Sequence, residues 1–278
     1  MFLAILKFIV AVSSVAAFAG TPNPGDPDHP TQPAPTTAFD SRFEGMYAVT
    51  VTCNPRPEDC NAAVMQMLDR ISIVDSRSAF GVWITLGSRN TGDVLQSFYS
   101  SVVGPSPYVL NAQPRLGSRP GRFSQVQVAI DPATGSLSGE LFDVRSRGTL
   151  VLNGKPLVLT GDLSSHAGVK LEEMLGEFSG NLAGGPGTFM IRVTPLGRIV
   201  GFFASDKTDI GAPVFTLDFS TGFFDETTGV LHLVNDNPRF GNVGELALVR
   251  EGSVLRGIYF NAFVESHVEL VPVDKHLP

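Results

Sequence analysis

The chain has 278 residues, of which 17% are charged and 43% are hydrophobic, and its formal net charge is −7. The hydrophobic fraction is ample for a packed core, which excludes a wholly disordered chain. The chain has no basic block, and this argues against nucleic-acid binding because phosphate contacts need clustered Lys and Arg. Beyond the first nineteen residues no apolar run approaches the roughly 18 residues of a membrane-spanning helix.

The first nineteen residues have the organisation of an export signal. Lys7 precedes an apolar stretch, and small residues follow as far as Ala17-Phe18-Ala19, an A-x-A site for cleavage before Gly20. An uncleaved membrane anchor fits less well, because the apolar run is short. Residues 1–19 are therefore predicted to be a signal peptide, and no transmembrane segment is expected after its cleavage.

The predicted destination is a periplasm or the extracellular medium. The sequence contains no N-x-S/T sequon, which favours a bacterial protein over a eukaryotic ectodomain. Residues 20–39 follow the signal and contain six prolines between Thr21 and Thr37. Proline lacks an amide proton and biases its neighbours toward extended conformations, so this segment is predicted to be a disordered, Pro-rich tether.

Cys53 and Cys60 are the two cysteines of the chain, and six residues separate them. In an exported protein such an isolated pair is most simply a structural disulfide. A redox-active pair is more often C-x-x-C, and a zinc site would need further ligands nearby. The sequence therefore predicts a Cys53–Cys60 bond that closes a short loop.

The chain beyond the tether has the period-2 pattern of β-strands. Apolar, β-branched and aromatic residues alternate with polar ones, and Gly, Asp, Asn and Pro interrupt them every eight to twelve positions. Short helices are predicted at 58–68 and 171–175. The predicted strands are 46–52, 80–86, 123–130, 189–193, 230–234, 245–249, 254–260 and 264–271.

Parts of this pattern occur twice. Residues 130–137 and 224–231 both read apolar-Asp-x-x-Thr-Gly-x-Leu, at an offset of 94. Asp at the start and Gly at the end of such a motif predict a tight turn. Residues 43–45 resemble 178–180 at an offset of 135, so the first copy is predicted to carry extra residues that include the cysteine loop.

The fold predicted from these observations is all-β, with two tandem, duplicated antiparallel units. The first unit is expected at 40–168, with the cysteine-loop insertion, and the second at 169–278. Each unit has enough strands for a small barrel or a sandwich. Up-and-down succession of strands through short turns favours barrels.

One constellation of side chains suggests a metal site. Glu265, His267 and Glu269 alternate along a predicted strand, so they point to one face. Two carboxylates and an imidazole could hold a divalent metal there. The alternative is that these residues form the polar outer face of a closing strand.

No catalytic residue and no cofactor can be nominated from motifs. The chain has no nucleophile elbow, no H-E-x-x-H, no phosphate-binding loop and no dinucleotide fingerprint. It has 20 Phe against one Trp and four Tyr, which indicates apolar filling, either of a core or around an apolar ligand.

The leading interpretation is therefore an exported, non-enzymatic β-rich interaction or envelope-associated module, whose protein partner the sequence does not identify. An alternative is a β-barrel that binds a hydrophobic small molecule. A third is a secreted hydrolase whose residues are scattered along the chain.

Overall fold

The structure of the protein is a computed structural model, and it describes residues 38–54, 56, 60–75, 81–88, 94–100, 106–114, 122–163, 165–206, 215–237, 242–262 and 264–273. All of these residues belong to one compact unit, Thr36–Pro278. The predicted signal peptide lies outside the described residues, as does nearly all of the predicted tether. Both stay predictions.

The described chain forms two closed antiparallel β-barrels of eight strands each. The first contains β1 Gly45–Asn54, β2 Arg70–Asp75, β3 Val82–Gly87, β4 Val94–Ser100, β5 Val109–Pro114, β6 Phe123–Ile130, β7 Leu137–Asp143 and β8 Thr149–Leu159. The second contains β9 Gly176–Leu182, β10 Gly185–Val193, β11 Ile199–Ser205, β12 Thr216–Asp225, β13 Val230–Asn237, β14 Asn242–Glu251, β15 Val254–Phe260 and β16 Glu265–Pro272.

Consecutive strands pair throughout, and each barrel closes by pairing its last strand with its first. This confirms the predicted all-β fold of two tandem units and selects barrels over sandwiches. Closure pairs β1 with β8 and β9 with β16, so neither sheet presents an open edge to other chains. The domain boundaries predicted at 40–168 and 169–278 stay predictions.

Helical structure in the described residues is short. Helix α1 spans Ala62–Met67, and 3-10 turns span Ser41–Phe43, Thr160–Asp162 and Leu171–Met174. Helix α1 is shorter than the predicted 58–68 because Asn61 caps it, with its side-chain oxygen accepting from the amide of Val64. None of the helices in the described residues is long and apolar enough to cross a membrane.

The disulfide between Cys53 and Cys60 is confirmed. It joins the end of β1 to the segment before α1, with the two Cα atoms 5.9 Å apart. Cys60 and Val64 of α1 both belong to the core cluster of the first barrel. The bond therefore holds α1 against one end of that barrel.

Each barrel is filled by its own inward side chains. Alternation along the strands sends Tyr47, Ile71 and Phe98 into the first lumen, where they are fully buried. Phe189, Phe203 and Phe219 fill the second lumen, and the ring centroids of Phe189 and Phe219 lie 5.6 Å apart. Phe189, Phe203 and Phe219 therefore serve as core, the first of the two uses that the composition predicts.

The repeated Asp–Gly motif forms the same turn in both barrels. The Asp131 carboxylate accepts from the amide of Ala133, and the Asp225 carboxylate accepts from that of Thr227, each at 2.9 Å. Gly135 and Gly229 close these turns at φ of 68° and 71°, a conformation that glycine adopts without steric cost. The predicted turn is confirmed in both copies.

The two turns do not occupy the same place in their barrels. The first joins β6 to β7, the sixth and seventh strands, whereas the second joins β12 to β13, the fourth and fifth. Part of the extra length that was predicted for the first copy is the β1–β2 connection, which carries the disulfide and α1. The recurring motif thus forms the same type of hairpin turn in both barrels, but it joins different pairs of strands in the two strand orders.

Replacing Phe189 with alanine is expected to lower the free energy of unfolding by about 3–5 kcal/mol, because the ring is fully buried and its loss leaves a cavity. Met190→Ala is the matched control, since Met190 is the next residue on β10 and is 42% exposed. It is expected to cost less than about 1 kcal/mol. Urea denaturation of both variants measures the difference, and equal losses would contradict the assignment of the second lumen as a packed core.

Candidate functional site at the barrel interface

Outward side chains of the two barrels share one apolar cluster. The first barrel contributes Met46, Val74, Trp83 and Val158, and the second contributes Val230, Val234, Val243, Ala247, Val249, Ile258 and Phe260. These positions alternate with lumen residues, so the strands that carry them are buried on both faces. The barrels are therefore packed side by side through an apolar interface.

Three ionisable side chains lie buried in the same region. Glu44 directly precedes β1, His232 lies on β13 and Glu245 lies on β14, and their exposed fractions are 0%, 6% and 0%. His232 Nδ1 lies 3.5 Å from Glu44 Oε2 and forms a short hydrogen bond with Glu245 Oε1. We call these three residues the interface cluster.

Strand alternation positions the second-barrel half of the interface cluster. Leu231 and Leu233 point into the lumen, so His232 between them points outward into the interface. Leu246 likewise points inward and leaves Glu245 outward. In register, Glu245 lies between Val234 on β13 and Phe260 on β15, two members of the apolar interface.

Glu44 is the member of the interface cluster that comes from the first barrel. Its Oε1 accepts a hydrogen bond of 2.6 Å from the backbone amide of Asp75 at the end of β2. This bond orients the carboxylate, so that Oε2 is the oxygen next to His232. The interface cluster therefore combines residues from both barrels, and it forms only when the barrels are packed together.

The electrostatic effect of Glu44 reaches the first lumen. Burial raises the pKa of Tyr47 far above its ordinary value, and the negative charges of Glu44 and Asp162 raise it further. The neutral hydroxyl donates to the carbonyl of Phe43 at 2.7 Å. Tyr47 therefore keeps its proton near neutral pH and acts as a hydrogen-bond donor to the backbone.

Other polar groups are buried on β2, β3 and β4 of the first barrel. Ser72, Thr85 and Ser97 lie in register on β2, β3 and β4, and the hydroxyls of Thr85 and Ser97 are 3.2 Å apart. The Arg70 guanidinium on β2 donates to Glu265 on β16 at 3.2 Å. This ion pair is a second polar link between the barrels.

The three residues of the predicted metal site all lie on the exposed side of β16. Glu265 contacts Arg70, and the Glu269 carboxylate accepts from Arg256 at 3.0 Å. His267 and Glu269 line a groove of about 440 Å³ together with Arg256, Glu251 and Asp162. Arginine cations thus occupy two of the three predicted ligands, and a metal on this trio stays a prediction.

The interface cluster is a different group. Among the residues that the structure describes, it is the group of three potential metal ligands whose donor atoms all lie within 4.8 Å of one another. One imidazole and two carboxylates can share a proton, and they can also hold a divalent cation.

Sequence reasoning did not find the interface cluster. A signal was available in the run Val230-Leu231-His232-Leu233-Val234, where histidine is the one polar residue of the predicted strand 230–234. Glu245 is likewise the one polar residue of the predicted strand 245–249. A polar residue in such a run indicates a buried polar partner, but the partner Glu44 lies 188 residues before His232 and 201 before Glu245.

No family model and no curated protein matches the chain. Among solved structures, the chain is similar to a protein of unknown function from the DUF3598 family of Nostoc punctiforme. The two are 13% identical over 84% of this chain and 100% of that one, with a TM-score of 0.24. At that score the similarity carries no argument about this protein.

Replacing His232 with alanine leaves two carboxylates facing each other in the apolar interface. The free energy of unfolding is expected to fall by about 3–5 kcal/mol at pH 7, the cost of breaking a buried ion pair. The control is His267→Ala, an exposed histidine on β16, which is expected to change it by less than about 0.5 kcal/mol. Urea denaturation in EDTA measures both, and a His232→Ala value equal to the control would contradict a buried charged cluster.

Proposed function

We propose that the protein is an exported, non-enzymatic β-barrel module that binds a protein partner through its outer surface. The main observation behind this proposal is a row of side chains on β9–β12 of the second barrel. The barrel interface uses the other half of that barrel, β13–β15. The predicted signal peptide and the disulfide support export, because such bonds persist in oxidising compartments. The filled lumens support a surface role, since apolar side chains of the barrels themselves pack there.

The row crosses four neighbouring strands. Strand register places Glu177 on β9 beside Met190 on β10, Met190 beside Phe202 on β11, and Phe202 beside Asp218 on β12. Met190 and Phe202 are 42% and 47% exposed. We call these four residues the Met–Phe row.

The chemistry of the Met–Phe row defines the partner. Two large apolar side chains lie between two acidic residues, whose backbone positions are about 14 Å apart along the sheet because three strand spacings separate them. A segment with an apolar side chain between two Lys or Arg residues would bury Met190 and Phe202 and pair with both acids. The partner that we propose is a protein with such a basic–apolar–basic segment.

The double substitution Met190→Ser/Phe202→Ser tests the proposal. Mature protein is used to capture envelope or secreted proteins of its host, and the captured partner is then purified for titration against each variant. We expect at least a tenfold loss of affinity in the double variant, and weaker binding of the wild type as salt rises. Phe142→Ser is the matched control, because Phe142 is also an exposed aromatic, on β7 of the first barrel.

An affinity that is equal in the double variant and the wild type would overturn the proposal. Sedimentation of the purified protein supplies the other decisive outcome. A wild-type dimer that dissociates in the double variant would assign the Met–Phe row to a second copy of this chain instead.

A second candidate function, binding of a hydrophobic small molecule, rests on a pocket beside β11 and β12. It has a volume of about 580 Å³, within the range of small-molecule sites. Leu171, Ile199 and Phe224 form its apolar wall, and Arg198 and Glu226 add charges at its edge. The pocket lies against the end of the second barrel and not within its packed lumen.

The probe for this pocket is 1-anilinonaphthalene-8-sulfonate, an apolar anion. Leu171→Arg places a charge in the apolar wall and is expected to lower the probe's affinity at least tenfold, measured by fluorescence titration. Leu196→Arg is the control, since Leu196 is 84% exposed and is not among the pocket residues.

Native mass spectrometry of the protein from its host then detects any small molecule that co-purifies with it. An absence of co-purifying small molecules, together with unchanged probe affinity in Leu171→Arg, would rule the candidate out.

A further inference from the structure

We propose that the interface cluster of Glu44, His232 and Glu245 is a binding site for one divalent transition-metal ion of the zinc type. This ion would link the two barrels. The site differs from the exposed trio on β16 and does not depend on the proposed partner surface.

The spacing of the donor atoms is the first argument. A zinc ion binds imidazole nitrogen and carboxylate oxygen at roughly 2.0–2.2 Å, which places neighbouring tetrahedral ligands roughly 3.3 Å apart. Glu44 Oε2 and His232 Nδ1 lie 3.5 Å apart. All three donor atoms lie within 4.8 Å of one another. The hydrogen bond between His232 Nδ1 and Glu245 Oε1 is shorter than the ligand spacing, so it must open for both atoms to bind one ion.

The donor set is the second argument. Imidazole suits zinc and its neighbours in the first transition row, whereas Mg²⁺ and Ca²⁺ prefer sites made of oxygen alone. The carboxylate of Glu44 is also fixed in orientation, because its Oε1 accepts a hydrogen bond from the backbone amide of Asp75. A hydrogen bond of this kind fixes the direction in which a ligand presents its free electron pair.

Charge is the third argument. With its imidazole protonated, the interface cluster carries a net charge of −1. A divalent ion with a neutral imidazole and two carboxylates sums to zero. Register neighbours of the cluster include Val234, Ala247 and Phe260, and an apolar environment penalises net charge strongly. In the binding step the metal accepts the electron pair of His232 Nδ1; the Nδ1 proton of the imidazolium leaves to solvent, and Nε2 keeps its own proton.

The location of the ligands gives the ion a structural role. Glu44 belongs to the first barrel, while His232 and Glu245 belong to the second. An ion that binds only when the barrels are packed stabilises the packed state by a free energy that grows with the logarithm of the free ion concentration above Kd. Metal binding is therefore expected to raise the midpoint of thermal unfolding.

The experiment uses the whole folded protein, stripped with EDTA and desalted. Titration calorimetry with ZnCl₂ is expected to show one ion per chain, and Mg²⁺ at the same concentration is expected to give no signal. Glu245→Gln, which keeps the shape but removes the charge, is expected to weaken zinc binding at least tenfold. Glu269→Gln is the matched control on the exposed trio and is expected to bind as the wild type does.

Anomalous diffraction is also measured at the zinc absorption edge, from a crystal of the zinc-loaded wild type. This measurement does not depend on the stability of any variant. An anomalous peak between Glu44, His232 and Glu245 would support the site. A peak beside His267, equal zinc affinity in Glu245→Gln and wild type, or no zinc binding by the wild type would each overturn it.

Discussion

The side-by-side packing of the two barrels is the constraint on which the rest of the structure depends. A barrel of eight strands satisfies its backbone hydrogen bonds and fills its lumen alone, so its outer face would ordinarily be polar. Here β1–β3 and β8 of one barrel and β13–β15 of the other carry buried apolar side chains on their outer faces as well. Those faces are compatible with water only when each covers the other, which makes the pair of barrels one compact body.

Burying both outer faces also buries the ionisable groups on them. Asp143, elsewhere in the first barrel, shows how a buried carboxylate is ordinarily satisfied. Burial alone would raise its pKa, but hydrogen bonds from Arg122, Ser146 and the amide of Arg145 lower the pKa below its usual value. In the interface cluster, by contrast, two carboxylates converge on one imidazole. Such convergence costs free energy unless a proton or a cation is held between the groups.

The parts of the fold that sequence reasoning predicted well are those with a local physical cause. Strand β6 alternates apolar and polar residues because one of its faces is buried and the other is wet, and its predicted bounds are those in the structure. The Asp–Gly turns were predicted because their hydrogen bonds lie within five residues of chain. Strand β2, Arg70–Asp75, was missed, since both of its faces are buried and polar Arg70 and Ser72 lie on the interface side.

The sequence by itself determined the all-β class, the division into two units, the disulfide and the turn chemistry. Each of these depends on the period of the strands or on residues close together in the chain. Only the tertiary structure decided that the sheets close into barrels and that the interface cluster forms. Barrel closure depends on register between the first and last strands. The cluster depends on contact between Glu44 and residues 188 and 201 positions further along the chain, and no local pattern encodes such a contact.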